Sequence, residues 1–259
     1  MIKNNNMLIK AFFLCGLAFV AFSCNDDFQQ PYYQVQEAGK IVINGYAESD
    51  SIQLAANGEL LEINDKNTFI KSISKNYEFV FYGNTTETID IKNKLTGEII
   101  HSYSSTVSMP LDSLSFYYKP GIFLDNVLSF KPGILSQTGY TGYKFIFPNM
   151  NTYSSSGYNG PLDGIIRKNN GQLVGTVQNI TKEGFSTFTE FQYGAPPILK
   201  MELVKHGTTE SYITGQPVFI TLVMQNNKSK LVVLEEKVNQ NGVFSGVDGN
   251  IDLADYFDF

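Results

Sequence analysis

From Lys40 onward the chain is a succession of short apolar or alternating runs separated by glycine, asparagine and proline. Alternation with a period of two predicts β-strands, because successive side chains of a strand point to opposite faces of a sheet. No long window keeps apolar residues at helical spacing throughout, so we expect few helices. The predicted strands are 40–46, 51–56, 59–63, 77–82, 88–92, 98–103, 114–118, 143–147, 164–168, 172–177, 185–193, 199–205, 218–224 and 231–238.

Turn residues mark two hairpins between these strands. Asn57-Gly58 is the typical pair of a type I′ turn, which needs positive φ at both central residues. The stretch 169–171, Asn-Asn-Gly, marks the clearest hairpin of the second half. Two segments, 232–238 and 253–257, also fit a short helix, but the β-branched residues before the first favour a strand there.

The spacing of these elements predicts the fold class. Short strands about ten residues apart, with turn residues between them, are typical of a sandwich or barrel. The succession of strand patterns and turn residues becomes less regular around 121–140 and then resumes with a different spacing. We therefore predict an all-β chain with two tandem β-sandwich domains, at 38–132 and 139–259.

The N-terminus reads as a targeting segment. Lys3 and Lys10 form a positively charged region, and residues 11–22 are an apolar run broken only by a glycine. This run is shorter than the about 20 residues a membrane-spanning helix needs, and it fits the core of a secretory signal. The alternative is an N-terminal transmembrane anchor with two incidental thiols.

The end of this run resembles the lipobox of bacterial lipoproteins, because a small residue, Ser23, precedes Cys24. The stretch 25–27, Asn-Asp-Asp, is similar to the export signal of surface lipoproteins in the Bacteroidota. The resemblance implies a signal peptide at 1–23 and a lipid on Cys24. It also implies an outer-membrane protein, surface-exposed or periplasm-facing, whose membrane contact is the lipid. Residues 24–37 lack periodicity and read as a tether.

A second resemblance concerns the first half. The order of plain strand, alternating strand, Asn-Gly turn and aromatic strand over 38–120 resembles an immunoglobulin-like module of unknown function common in Bacteroidota lipoproteins. The resemblance implies an immunoglobulin-like sandwich there. It carries no active-site residues.

Composition narrows the function classes. The 259 residues include two His and two Cys, which argues against zinc fingers, disulfide frameworks and iron–sulfur sites. The net charge of −6 argues against a nucleic-acid partner, and removing Lys3 and Lys10 with a signal peptide leaves −8. Nothing in the sequence calls for a cofactor.

Catalytic motifs of the familiar kinds are not found in the sequence. There is no nucleophile elbow, phosphate-binding loop or dinucleotide fingerprint. His101 and His206 read as structural or solvated residues. Glu235 and Glu236 are adjacent, so on a strand they face opposite sides, and we interpret them as charges that protect an apolar strand from aggregation. We predict no catalytic residue and no enzyme, with a secreted hydrolase using dispersed carboxylates as the alternative.

The segment 248–255 matches part of the pattern of calcium-binding loops. Its glycine and last acid fit the spacing, but the first two ligand positions fall on Phe244 and Gly246, which have no side-chain oxygen. We therefore predict no metal site, and Asp248, Asn250 and Asp252 are the candidate ligands of a looser one.

One polar loop is the candidate binding site. Residues 149–163 carry Tyr153 and Tyr158 among serine, asparagine and glycine, the residue types with which binding loops combine rigid rings and adaptable hydrogen bonds. The alternative is an ordinary exposed loop. We predict a lipid-anchored, non-catalytic binding or assembly module that recognises a glycan or a protein, with these tyrosines as its candidate ligand-binding residues.

Overall fold

The computed structural model describes residues 35–63 and 65–259, apart from the side chains of residues 49–51 and 70. The predicted signal peptide, Cys24 and most of the predicted tether lie outside the described residues. Within the described ranges, no helix is long and apolar enough to cross a membrane. The first strand begins at Gln36, inside the last two residues assigned to the tether.

Strands make up nearly all of the regular structure, which confirms the all-β prediction. The described residues form β1 (Gln36–Ala56), β2 (Glu59–Leu60), β3 (Phe69–Tyr82), β4 (Thr86–Asn93), β5 (Ile99–Thr106), β6 (Ser113–Lys119), β7 (Ile122–Asp125), β8 (Tyr140–Ile146), β9 (Leu162–Lys168), β10 (Leu173–Ile180), β11 (Thr189–Gln192), β12 (Ile198–Lys205), β13 (Phe219–Val223), β14 (Lys228–Val238) and β15 (Phe244–Asp252). Two 3₁₀ turns, η1 (Val127–Ser129) and η2 (Leu253–Asp255), are the helical pieces of this part of the chain.

The strands form three sheets. The first has the order β5-β4-β1-β6-β7, with β2 and β3 also paired to β1. The second has the order β10-β9-β12-β13, and the third has the order β11-β8-β14-β15. The second and third sheets enclose one apolar core, which includes Phe145, Met201 and Leu234.

One strand replaces two predicted ones at the start of the fold. The patterns 40–46 and 51–56 both lie in β1, which continues through the polar residues between them. Buried positions fall on odd numbers up to Ala47, whereas Ile52, Leu54 and Ala56 are buried further on, with Ala55 buried between them, so the inward face changes along the strand. The partner changes as well, because the first part pairs in parallel with β6 and the last part pairs antiparallel with β4. The polar interruption therefore marks a change of face and partner within one strand.

The turn predictions agree with the backbone. Asn57 has a φ of 48° and Gly58 a φ of 89°, so both central residues have the positive φ of a type I′ turn. Gly171 has a φ of 86° at the tip of the β9–β10 hairpin. Both hairpins are thus confirmed, as is the strand at 231–238, which lies in β14.

The strands β7 and β15 were not predicted. The sequence of β15, from Phe244 to Asp252, mixes glycine and acids with few apolar residues and shows no clean alternation. It nevertheless pairs with β14, with irregularities of register on the way. Pairing with a strongly apolar neighbour stabilises a strand that its own residues do not indicate. The 253–257 segment forms the short turn η2 instead of a longer helix.

The two halves of the chain share a three-strand motif. In the first half, β1 pairs in parallel with β6, and β6 pairs antiparallel with β7. In the second half, β8 pairs in parallel with β14, and β14 pairs antiparallel with β15. The opening strand of each half is therefore held by a strand near the end of that half.

A buried apolar layer connects the halves. Tyr117 and Val127 of the first half pack with Ile146, Leu231 and Leu253 of the second. Glu37–Phe259 form one compact unit, and the predicted boundary at 132–139 falls in the segment between η1 and β8. A buried layer of this kind couples the stabilities of the segments on either side of it.

Candidate functional site

A cleft of about 800 Å³ opens at one end of the second and third sheets. Next to it, β8 begins at Tyr140, β9 ends at Lys168, β11 ends at Gln192 and β12 begins at Ile198. One wall is the tip of the β9–β10 hairpin, and the other is the connection 193–197 between β11 and β12. The cleft is therefore assembled from segments that lie far apart in the sequence.

The floor of the cleft is apolar and belongs to the core. Val174, Phe191, Leu199 and Met224 line it, and Phe191 is almost fully buried. A Cβ on Gly175 would lie 2.8 Å from Cε1 of Phe191, which is closer than carbon atoms approach. The glycine thus lets β10 pass directly over the ring, and the floor is densely packed.

Backbone hydrogen bonds fix the 193–197 wall at both ends. The amide of Tyr193 donates to the carbonyl of Gly139 at 2.8 Å, and the amide of Met224 donates to the carbonyl of Pro197 at 2.9 Å. The amide of Gly139 in turn donates to Oδ1 of Asn227 at 2.7 Å. A connection held at both ends gives a wall whose position is set before any ligand binds.

The hairpin tip is held in the same way. The amide of Lys168 donates to the carbonyl of Gln172 at 2.9 Å, and the amide of Gly171 donates to the carbonyl of Lys168 at 2.8 Å. Oδ1 of Asn170 accepts a hydrogen bond from the amide of Gln172 at 3.1 Å. These bonds use the backbone and one amide oxygen, so most side-chain polar atoms of the tip stay available.

Polar side chains without a protein partner surround the cleft. Five side chains of the lining make no hydrogen bond with another described residue. They are the carboxamides of Asn169, Gln172 and Gln192 and the phenols of Tyr140 and Tyr193. Tyr193 is 39% exposed. A carboxamide carries both donors and acceptors, and a tyrosine adds an apolar ring to a hydroxyl. The cleft therefore presents convergent hydrogen-bonding groups around an apolar floor.

The acid that lines the cleft, Glu190, is hydrogen-bonded within the protein. Glu190 accepts hydrogen bonds from the hydroxyl and from the backbone amide of Ser136, the latter at 2.9 Å. The Ser136 hydroxyl, followed by its amide, lowers the pKa of Glu190 below the ordinary value. This carboxylate holds the segment before β8 against β11.

The predicted binding loop, residues 149–163, is organised around a buried carboxylate. Glu236 is 1% exposed, and its two oxygens accept five hydrogen bonds from Tyr212 and the loop. The donors are the Tyr212 hydroxyl at 2.5 Å, the Ser154 hydroxyl at 2.5 Å, and the amides of Asn151 at 3.0 Å, Tyr153 at 2.6 Å and Ser154 at 3.1 Å. No pattern in the sequence indicates this role of Glu236.

The burial and hydrogen bonds of Glu236 and Tyr212 shift the pKa values of both side chains. Burial by itself would raise the pKa of Glu236, but the hydrogen bonds from Ser154 and Tyr212 and from the loop amides outweigh burial and lower it. Burial, followed by the hydrogen bond to Glu236, raises the pKa of Tyr212 to about 12. Glu236 thus stays ionised at neutral pH and acts as the centre of the loop. The interpretation of this residue as a charge against aggregation is wrong, because its side chain does not face solvent.

The neighbouring acid points the other way, as expected for adjacent residues of a strand. Glu235 accepts hydrogen bonds from Lys119 at 2.9 Å and from Lys237 at 2.6 Å. Lys119 also lies 3.6 Å from Glu48 of β1. Glu235 therefore belongs to the contact between the two halves.

The two tyrosines of the 149–163 loop lie in different surroundings. Tyr158 is half-buried against the core enclosed by the second and third sheets, and its hydroxyl donates to the carbonyl of Pro161 at 2.9 Å. Tyr153 is 40% exposed, and its hydroxyl lies 3.4 Å from where a Cβ on Gly121 would be. The loop follows β8 and precedes β9, so it lies at the opposite end of these strands from the cleft.

Both histidines have protein partners. Nδ1 of His206 lies 2.9 Å from Oδ1 of Asp163, whose carboxylate also accepts from the amides of Gly207 at 2.9 Å and Asn179 at 3.1 Å. Burial would raise the pKa of Asp163, but the bonds from His206 and the two amides outweigh it and lower it. His101 stacks on Phe123 at a centroid distance of 4.8 Å.

The three candidate metal ligands lie along β15. Asn250 donates through its amide and its backbone to Asp248, at 2.8 and 3.1 Å. Oδ1 of Asp252 accepts from the amides of Leu231 at 2.9 Å and Ala254 at 3.2 Å, and burial raises its pKa. Among the described residues, no group of three or more His, Cys, Asp or Glu side chains is placed to hold a metal ion.

Comparison with known proteins adds little. No protein-family model and no curated protein match the chain. Among solved structures, the Bacillus anthracis TIE protein is similar over 82% of this chain and 34% of that chain, with 7% identity and a TM-score of 0.24, so this chain spans about a third of its length. CBMbc, a family CBM26 module from Eubacterium rectale Amy13K in complex with maltoheptaose, is similar over 82% of this chain and 94% of that chain, with 9% identity and a TM-score of 0.21. At these TM-scores neither likeness bears on function.

Proposed function

We propose that this chain is a non-catalytic binding module that captures a carbohydrate in the cleft and is held at the bacterial outer membrane by a lipid on Cys24. The observation that carries the proposal is the set of carboxamides and phenols that surround the cleft without protein partners. Sugar hydroxyls both donate and accept hydrogen bonds, as carboxamides do. An apolar floor between such groups is the usual composition of a small-ligand site.

The fixed walls support binding over assembly by flexible loops. The 193–197 connection and the hairpin tip are tied to the sheets by the backbone bonds described above. A site whose walls are already in place loses less conformational entropy when a ligand arrives. The cleft therefore has the preorganisation that recognition of a weakly binding sugar requires.

The cleft does not favour the alternative of a carboxylate-dependent hydrolase. Such enzymes use two carboxyl groups about 5–9.5 Å apart across the scissile bond. Among the described residues, Glu190 is the one acid that lines the cleft, so the lining lacks a second carboxyl group. Incubation of the protein with a polysaccharide that it binds, followed by assay of new reducing ends, tests this alternative. Steady release of reducing ends would replace the proposed function with the hydrolase.

The experiment that tests the site compares two tyrosines of equal exposure. Full-length protein in a detergent without a sugar headgroup is applied to a glycan array, together with the variants Tyr193→Ala and Tyr153→Ala. Tyr193 is 39% exposed and lines the cleft, whereas Tyr153 is 40% exposed and lies in the 149–163 loop. We expect Tyr193→Ala to lose the array signal and Tyr153→Ala to keep it. The reverse result would return the site to the loop, as the sequence predicted.

The lipid anchor has its own test. Cells expressing the wild type and Cys24→Ala are labelled with radioactive palmitate, and the protein is isolated from each. We expect label in the wild type and none in the variant, because the resemblance to a lipobox places the acyl chains on this cysteine. An unlabelled wild type would remove the anchor from the proposal and leave the cleft unaffected.

A further inference from the structure

The cleft carries little net charge. Of the residues that line it, Lys168 is the base and Glu190 the acid, and the other polar side chains are carboxamides and phenols. Each carboxylate oxygen of Glu190 already accepts one hydrogen bond from Ser136. Lys168 is the one cationic group in the described lining of the cleft.

The arginine of the chain, Arg167, is not part of the cleft lining. Arg167 is the only arginine in the sequence, and it lies next to Lys168 on β9. Successive side chains of a strand point to opposite faces, and Arg167 does not line the cleft. Its Nη1 donates to the carbonyl of Gly171 at 3.4 Å. The guanidinium thus stabilises the β9–β10 hairpin and does not line the cleft.

Charged sugars place a different demand on a site. Carboxylate and sulfate groups are recognised mainly through charge-assisted hydrogen bonds, and a bidentate arginine is the most effective donor. The net charge of −6 also repels polyanions over long range. Neutral sugars need neither, because each hydroxyl pairs with a carboxamide in either direction.

We propose that the cleft is selective for an uncharged oligosaccharide and discriminates against chains that carry uronate or sulfate groups. This inference rests on the proposed function and names the ligand class of the same site. The carboxamides of Asn169, Gln172 and Gln192 hold the hydroxyls, and the fixed walls set their spacing.

Calorimetric titration of the full-length protein tests the selectivity. The neutral probes are the hexasaccharides of cellulose, amylose, xylan and mannan, and the acidic probes are hexagalacturonate and a chondroitin sulfate hexasaccharide. Each titration is made at low and at high sodium chloride. We expect at least one neutral probe to bind with a Kd that changes less than about twofold with salt, since no counterions are released. The acidic probes should bind at least about tenfold more weakly.

The variants Lys168→Met and Gln192→Ala sharpen the result. Gln192→Ala should raise the Kd of the neutral probe by about threefold or more, the loss of one neutral hydrogen bond. Tighter binding of an acidic probe, weakened by salt and lost in Lys168→Met, would overturn the selectivity and leave the proposed function standing. Failure of both classes to bind would instead remove the proposed function, and this inference with it.

Discussion

The 149–163 loop and the cleft share two polar residue types and have opposite organisation. Both combine tyrosine with asparagine, and both lie at the ends of β8 and β9. In the loop, the polar groups bond to one another and to Glu236. Around the cleft, the carboxamides of Asn169, Gln172 and Gln192 have no protein partner among the described residues.

The difference teaches that composition alone does not identify a binding surface. Asn151 donates through Nδ2 to Asn159 at 3.2 Å, and its Oδ1 accepts from Ser156 at 3.1 Å and from Gly157 at 3.2 Å. These groups stabilise the loop and are no longer available to a ligand. What marks a site is hydrogen-bonding capacity that the fold leaves unused next to a cavity.

The largest effect is expected at the centre of the loop. Glu236→Ala removes the acceptor of five buried or half-buried donors, so we expect the free energy of unfolding to fall by about 3 kcal/mol. Glu236→Gln keeps the shape and one acceptor oxygen, and it should cost about half as much. Urea denaturation measures both. A change below about 0.5 kcal/mol in Glu236→Ala would contradict the central role of this carboxylate.

Acid should weaken the same loop. The pKa values of Glu236 and Asp163 are lowered from 4.5 and 3.8, so the stability they contribute is fully present above these values and is lost as the pH falls through the lower folded pKa. Asp252, with a raised pKa, acts in the opposite direction. We expect urea midpoints to fall between pH 7 and pH 3, and to fall less in Glu236→Gln. An equal fall in that variant would assign the acid sensitivity to other groups.

A smaller effect is expected on ligand affinity in Tyr193→Ala. Removing a ring from the cleft should raise the Kd of a bound neutral oligosaccharide about tenfold, or about 1.4 kcal/mol, with little change in the free energy of unfolding. Calorimetric titration and urea denaturation on the same sample separate the two. Equal losses of affinity in Tyr153→Ala would erase the distinction between the two regions.

The smallest effect is expected from single carboxamides. Gln172→Ala should raise the Kd about threefold, since it removes one neutral hydrogen bond of about 0.5–1.5 kcal/mol. Asn159→Ala in the loop is the matched control, because its Oδ1 accepts from Asn151 within the protein. We expect Asn159→Ala to lower stability slightly and to leave the Kd unchanged. A Kd raised in Asn159→Ala and unchanged in Gln172→Ala would exchange the roles of the two regions.

Much of the fold was predictable, because its signals are local. Asn57-Gly58 specifies a turn through the φ values that its own residues tolerate, and alternation identifies strands such as β4. The continuity of β1 was not predictable, since its halves change partner between β6 and β4 and the residues between them are polar. Likewise, β15 is a strand because of β14, a neighbour that its own sequence does not specify.

The site was less accessible to sequence reasoning. Tyr140, Lys168 and Gln192 come from three separate segments, and only the pairing of the sheets brings them to one cleft. The one local signal was the amide-rich hairpin tip at 169–172. Its residues predict a turn, but they do not indicate that the turn forms a wall of a cleft. Glu236 carried no signal, because a buried acid is recognised by its donors, and four of the five lie more than 80 residues earlier, in the 149–163 loop.

The parallel pairing of β8 with β14 has a consequence for biogenesis. Phe145 faces Val232 across this pair, so the edge of β8 that pairs with β14 has no partner until almost the whole chain has been synthesised. Pairings between such distant segments form slowly, and an open strand edge invites association with other chains. A chain truncated after residue 225 lacks β14, so we expect it to keep this edge open and to aggregate, which sedimentation of the truncated chain beside the full chain would measure.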